Sequence, residues 1–118
     1  MGLPLPPPFV AWLVSDGRVL ATAEVAGTFR SRWKGLLKRD GIDGCLVLER
    51  TRMVHTLGMR FDIDVAYVAS DGTVLRIEQL PRNRFGRPVS RAVMVVEAPL
   101  GAFDRWGLAE GHRVELRR

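Results

Sequence analysis

Apolar and polar positions alternate with a period of two over much of this chain, and turn-forming pairs separate the alternating runs. Residues Phe9–Val14 and Val19–Val25 are two such runs, joined by Ser15-Asp16-Gly17-Arg18. An Asp-Gly pair between apolar runs predicts a β-hairpin, because both central residues tolerate positive φ. The same device recurs at Ser70-Asp71-Gly72-Thr73, between Ile63–Ala69 and Val74–Leu80. Upstream, Met59, Phe61, Ile63, Val65 and Tyr67 alternate with Arg60, Asp62, Asp64 and Ala66, which predicts a strand with one buried face. Shorter strands are expected at Cys45–Leu48, at Ala92–Ala98 with Glu97 inside the apolar run, and at His112–Leu116.

One segment departs from period two. Phe29, Trp33, Leu36 and Leu37 fall at i, i+4, i+7 and i+8 behind Thr28, a good N-cap, so an α-helix is expected near residues 28–38. A single helical turn is expected at Ala102–Trp106. Leu80–Arg91, with two prolines, a glycine and four arginines, reads as an exposed loop. The sum is a mainly β chain with a short helix, an antiparallel sandwich or partly closed barrel of about seven strands. Residues 1–8 form an extended proline-rich lead-in, and 9–118 a single sandwich-like domain.

Composition narrows the class. With 47% apolar and 26% charged residues in 118, the chain has the make-up of a folded globular domain. No apolar run is long enough to span a bilayer as a helix, and the N-terminus lacks the basic start of a signal peptide, so a cytoplasmic location is expected. A lone cysteine, Cys45, excludes an internal disulfide. The net charge of +5 rests on 16 arginines and two lysines. It suits an acidic partner, or reflects arginine replacing lysine over the whole surface.

Four blocks in order carry a family resemblance: Arg32-Trp33-Lys34-Gly35-Leu36-Leu37-Lys38-Arg39, His55–Val65, Val96-Glu97-Ala98-Pro99-Leu100-Gly101 and Arg105-Trp106-Gly107-Leu108-Ala109-Glu110-Gly111. Together they resemble the prokaryotic family catalogued as domain of unknown function 192. The resemblance implies a small, mainly β, sandwich-like fold with a short helix, and no established activity, substrate or cofactor. By position it matches Gly35, Leu36 and Arg39 to the family's helical motif, and Met59 and Asp64 to its central strand. Glu97 and Gly101 match its later strand and turn, and Gly111 its final turn. Asp62 stands where a proline is usual, and His112 where an aspartate is usual.

The candidate chemistry has a structural alternative at every point. Asp62 and Asp64, two apart on a strand, share a face and suit an acid–base pair, or a plain ladder with Arg60. Arg39, His55, Asp64 and Glu97 compose a candidate polar pocket, or a buried hydrogen-bond network that fixes register. Cys45 beside His55 would make a nucleophile, against a small core residue. Met53, Met59 and Met94 with Cys45 and His55 are soft donors, but core packing explains the methionines, and no metal or cofactor is expected. Arg82, Arg84, Arg87 and Arg91 around Phe85 are a candidate anion or nucleic-acid loop, against a solvated loop. The function is therefore unknown at this level. The leading expectation is a small domain that binds a ligand, such as a small anion, or a partner protein. An enzyme acting on a small anionic substrate through the His/Asp/Glu pocket comes second, and nucleic-acid binding through the arginine loop third.

Overall fold

The computed structural model describes residues 10–26 and 40–118. Among these residues there are seven strands: β1 (Val10–Ser15), β2 (Arg18–Ala26), β3 (Cys45–Glu49), β4 (Ile63–Ala69), β5 (Val74–Leu80), β6 (Ala92–Pro99) and β7 (Glu115–Arg117). One five-residue helix, α1 (Ala102–Trp106), lies between β6 and β7. The expected helix at 28–38, the lead-in and the helical family block fall outside the described residues.

The strands form one sheet in the order β5-β4-β6-β3-β2-β1-β7. Every pairing is antiparallel except β2 with β3. Both expected hairpins are present. In the first turn Asp16 and Gly17 both have positive φ, 53° and 72°. In the second only Gly72 does, and Asp71 instead accepts the Thr73 N–H on its carboxylate at 2.9 Å. The sheet is partly closed by its own C-terminal segment. Val74 N–H donates to His112 O at 2.8 Å, Val114 N–H to Gly72 O at 2.9 Å, and from the next residue, Glu115, the chain pairs with β1 as β7. Residues 111–117 thus touch both ends of the strand order.

Two apolar clusters hold the sheet, one on each face. The first gathers Leu13, Val25, Cys45, Val47, Val68 and Val96 with Phe103 and Leu108 from around α1. The second gathers Leu48, Ile63, Val65, Tyr67 and Val95 with Val54 and Met59 from the β3–β4 connection. The strands β3 and β4 are consequently buried on both sides, as central strands with two covered faces must be.

Two boundaries differ from the sequence expectation. Met59–Asp62 is not strand but irregular backbone after a turn at Leu57–Gly58: Met59 N–H donates to Thr56 O at 3.1 Å, and Met59 is buried because the turn folds onto the second cluster. The last strand begins at Glu115 because residues 111–114 spend their backbone groups on the closure with 72–74.

Candidate functional site

The residues of the signature stretch are separated by the sheet. Asp64 pairs with Ala98, whereas Glu97 pairs with Val65. Directly paired residues share a face, so Asp64 and Glu97 point to opposite sides. A single pocket uniting His55, Asp64 and Glu97 is not formed, and Arg39 lies outside the described residues. The Asp62–Asp64 pair is not formed either. Asp62 precedes the strand and accepts the Arg82 N–H at 2.9 Å, while Arg60 turns away to Asp40 at 2.9 Å.

Asp64 is 3% exposed and serves the helix. The N-cap of α1 is Gly101, which has no side chain to offer. The acceptor comes instead from β4: Asp64 Oδ2 takes the Phe103 N–H at 3.1 Å, in the first turn. Its second oxygen, Oδ1, is buried and has no hydrogen-bond partner among the described residues.

On the other face, Glu97 shares its side of the sheet with a second polar group. The Tyr67 hydroxyl donates to Glu78 Oε1 at 2.6 Å, and Arg76 Nη2 donates to Glu78 Oε2 at 3.1 Å. Burial, and then the Glu78 carboxylate, push the Tyr67 phenol well above its usual range. Gly86 closes over this group. A Cβ there would stand 2.7 Å from the Tyr67 hydroxyl and 3.1 Å from Glu78 Oε1, so only glycine lets the backbone approach this closely. Tyr67→Phe should cost about 1–2 kcal/mol by leaving a half-buried carboxylate oxygen short of a donor, read from denaturant unfolding.

Cys45 is buried in the first cluster, and burial pushes its thiol from 9.0 up to about 12. It is packing and no nucleophile in the folded state. The folded thiol holds its proton more tightly than the unfolded one. The corresponding stability is therefore complete below pH 9.0 and lost as pH rises towards 12. A disulfide-exchange reagent at mildly alkaline pH should modify Cys45 only as fast as the protein unfolds. The soft donors also do not converge, since Met59 packs with the second cluster and Met94 with the first. Among the described residues no three His, Cys, Asp or Glu side chains gather as a metal site.

His55 is half-buried at the foot of the arginine segment, its Nδ1 taking the Leu57 N–H at 3.3 Å and its ring 6.0 Å from that of Phe85. The expected exposed segment is exposed, yet it is also ordered. Thr56, Val54 and Arg52 bond in turn to residues 83–84, 86 and 89, so Arg82–Arg91 forms one side of a ribbon.

An open concavity lies where the closure segment meets the β1–β2 turn. It holds about 420 Å³ and is lined by Ser15, Asp16, Arg18, Leu20, Gly107, Leu108, His112 and Arg113. Leu108 and Leu20 supply an apolar wall, and Arg18, His112, Arg113 and Asp16 stand exposed around it. Several contacts fix the wall. Ser15 Oγ donates to Arg113 O at 2.6 Å, and Arg18 Nη2 donates to Trp106 O at 2.9 Å. His112 Nδ1 accepts the Ala109 N–H at 3.2 Å, which leaves Nε2 as the protonated nitrogen of the neutral ring. Two guanidinium groups and an imidazole N–H stand beside an apolar wall; Arg18 gives one N–H to Trp106 O and Arg113 lies 3.8 Å from Asp71 Oδ2, and the further N–H groups of each guanidinium suit an organic anion. The sequence had pointed elsewhere: Ser15–Arg18 read as a turn, and His112 as a departure from the family pattern.

The sequence pattern of DUF192, described as an uncharacterised ACR, matches residues 11–116. No curated protein matches the chain. Two crystal structures are similar. One, from Sinorhizobium meliloti 1021, is described as a candidate transcription regulator; it is 26% identical over 91% of this chain and 92% of its own, with a TM-score of 0.73. The other, a protein of unknown function from Novosphingobium aromaticivorans, is 20% identical over 90% of this chain and 83% of its own, again with a TM-score of 0.73. That second likeness shows the fold alone.

Proposed function

The chain belongs to the DUF192 family of uncharacterised proteins, and from that premise and its own geometry we propose that it is a binding domain for a small organic anion, held in the cavity where the closure segment meets the β1–β2 turn, the mouth of this partly closed barrel. The observation that carries the reading is the convergence of Arg18, His112 and Arg113 on one cavity with an apolar wall. Its volume of about 420 Å³ suits a small molecule and not a macromolecule. The guanidinium of Arg18 is oriented by its bond to Trp106 O, which lowers the entropy lost when a carboxylate or phosphate is gripped. Asp16 on the same rim selects against highly charged anions and favours a ligand that also carries a donor. His55, Asp64 and Glu97 take no part in this site. No helix among the described residues is long and apolar enough to cross a membrane.

A thermal-shift screen of small carboxylates and phosphate monoesters tests the proposal. A ligand at one hundred times its Kd should stabilise the fold by about 2.7 kcal/mol. The shift should vanish in Arg18→Ala/Arg113→Ala, whose exposed side chains leave the core untouched. A shift that persists in that variant, or no shift with any member of the panel, contradicts the reading.

A further inference from the structure

Residues 50–61 and 81–91 contain seven of the 16 arginines, at positions 50, 52, 60, 82, 84, 87 and 91, and none of the 13 acidic residues. Composition alone does not place them so, because the acidic residues are distributed over the rest of the chain. The fold then brings these two segments together. Thr56 N–H donates to Arg84 O at 2.8 Å, Gly86 N–H to Val54 O at 2.8 Å, and Val89 N–H to Arg52 O at 3.0 Å. Thr56, fully buried, adds side-chain bonds to Pro81 O at 2.5 Å and from the Arg84 N–H at 2.9 Å. The ribbon is therefore a fixed platform, seated through Val54 and Gly86 on the second cluster and the Tyr67–Glu78 pair.

Its outer side has two kinds of group. Phe85 is 65% exposed and Met53 43%, with the His55 ring 6.0 Å from Phe85 at 52°. Around them, Arg60 is paired with Asp40 and Arg82 with Asp62, but Arg52, Arg84, Arg87 and Arg91 are exposed and make no ion pair among the described residues. An exposed aromatic on a paired segment that also carries exposed guanidinium groups, with no ion pair among the described residues, matches a ligand that presents flat faces and phosphates together. We propose that this ribbon binds single-stranded nucleic acid, with bases stacked on Phe85 and His55 and the backbone held by Arg52, Arg84, Arg87 and Arg91. A duplex hides its base faces and uses only the charge. An acidic peptide lacks the stacking partner. The site is separate from the barrel-mouth cavity and shares no residue with it.

Fluorescence anisotropy with a labelled mixed-sequence single-stranded oligonucleotide tests this, with the same oligonucleotide as a duplex and a poly-glutamate peptide as competitors. Four phosphate contacts on a single strand give a log–log salt slope of about −2.8, so affinity should fall roughly fifty-fold between 50 and 200 mM salt. Phe85→Ala should weaken binding about ten-fold with that slope unchanged, and Phe85→Tyr should restore it. Arg87→Ala/Arg91→Ala should instead flatten the slope by about 1.4. Unchanged thermal midpoints confirm that the variants fold, since every altered side chain is exposed. No binding at 50 mM salt overturns the proposal. So does binding indifferent to Phe85, duplex competing better than single strand, or poly-glutamate displacing the strand at equal charge.

Discussion

Gly72→Ala is expected to lower the unfolding free energy by about 2–4 kcal/mol. Gly72 sits at φ 89°, where an L side chain is strained. A Cβ there would also meet Val114 O at 2.5 Å. That carbonyl belongs to the segment that closes the sheet, and Val114 N–H donates back to Gly72 O at 2.9 Å. The new methyl must push residues 112–114 away from 72–74, and the same displacement moves His112 and Arg113 off the cavity wall. Denaturant unfolding reads the stability loss, and ligand affinity at the cavity should fall with it. A loss under about 1 kcal/mol would mean that the contact of residues 112–114 with 72–74 does not hold the sheet partly closed.

Asp64→Ala and Asp64→Asn should diverge. Alanine leaves the buried Phe103 N–H without an acceptor and removes a negative charge from the first turn of α1, for a cost of about 2–3 kcal/mol. Asparagine keeps the acceptor and removes a buried charge whose Oδ1 has no partner among the described residues, so it should stay within about 1 kcal/mol of the wild type. Paired denaturation curves decide this. Equal losses in both variants would show that the charge itself is indispensable, as for an ionic site. A tolerated asparagine identifies the signature aspartate as the helix's acceptor.

The strands were legible because their signals are local. Asp16-Gly17 and Asp71-Gly72 mark hairpins by turn chemistry, and β5 was bounded as expected at Val74–Leu80. The alternation of Met59 and Phe61 misled for an instructive reason: a turn pressed onto a core buries alternate residues just as a strand does. The His55, Asp64 and Glu97 grouping failed on register. Asp64 opposes Ala98 and not Glu97, a one-residue offset between distant strands that no local signal encodes. The cavity was invisible for a similar reason, since Ser15 and Arg113 lie 98 residues apart and meet only through the closure. The arginine segment was visible as composition, while its rigidity came from partners at Arg52–Thr56 that the sequence does not mark.

In the proposed function the barrel mouth, and not the signature stretch, holds the ligand. Backbone-amide NMR during titration with the best anion from the screen tests it most directly. The account predicts shift changes concentrated at Ser15–Leu20, Gly107–Leu108 and His112–Arg113, with His55, Asp64 and Glu97 unmoved. Changes centred on the signature residues, with the mouth silent, would contradict it.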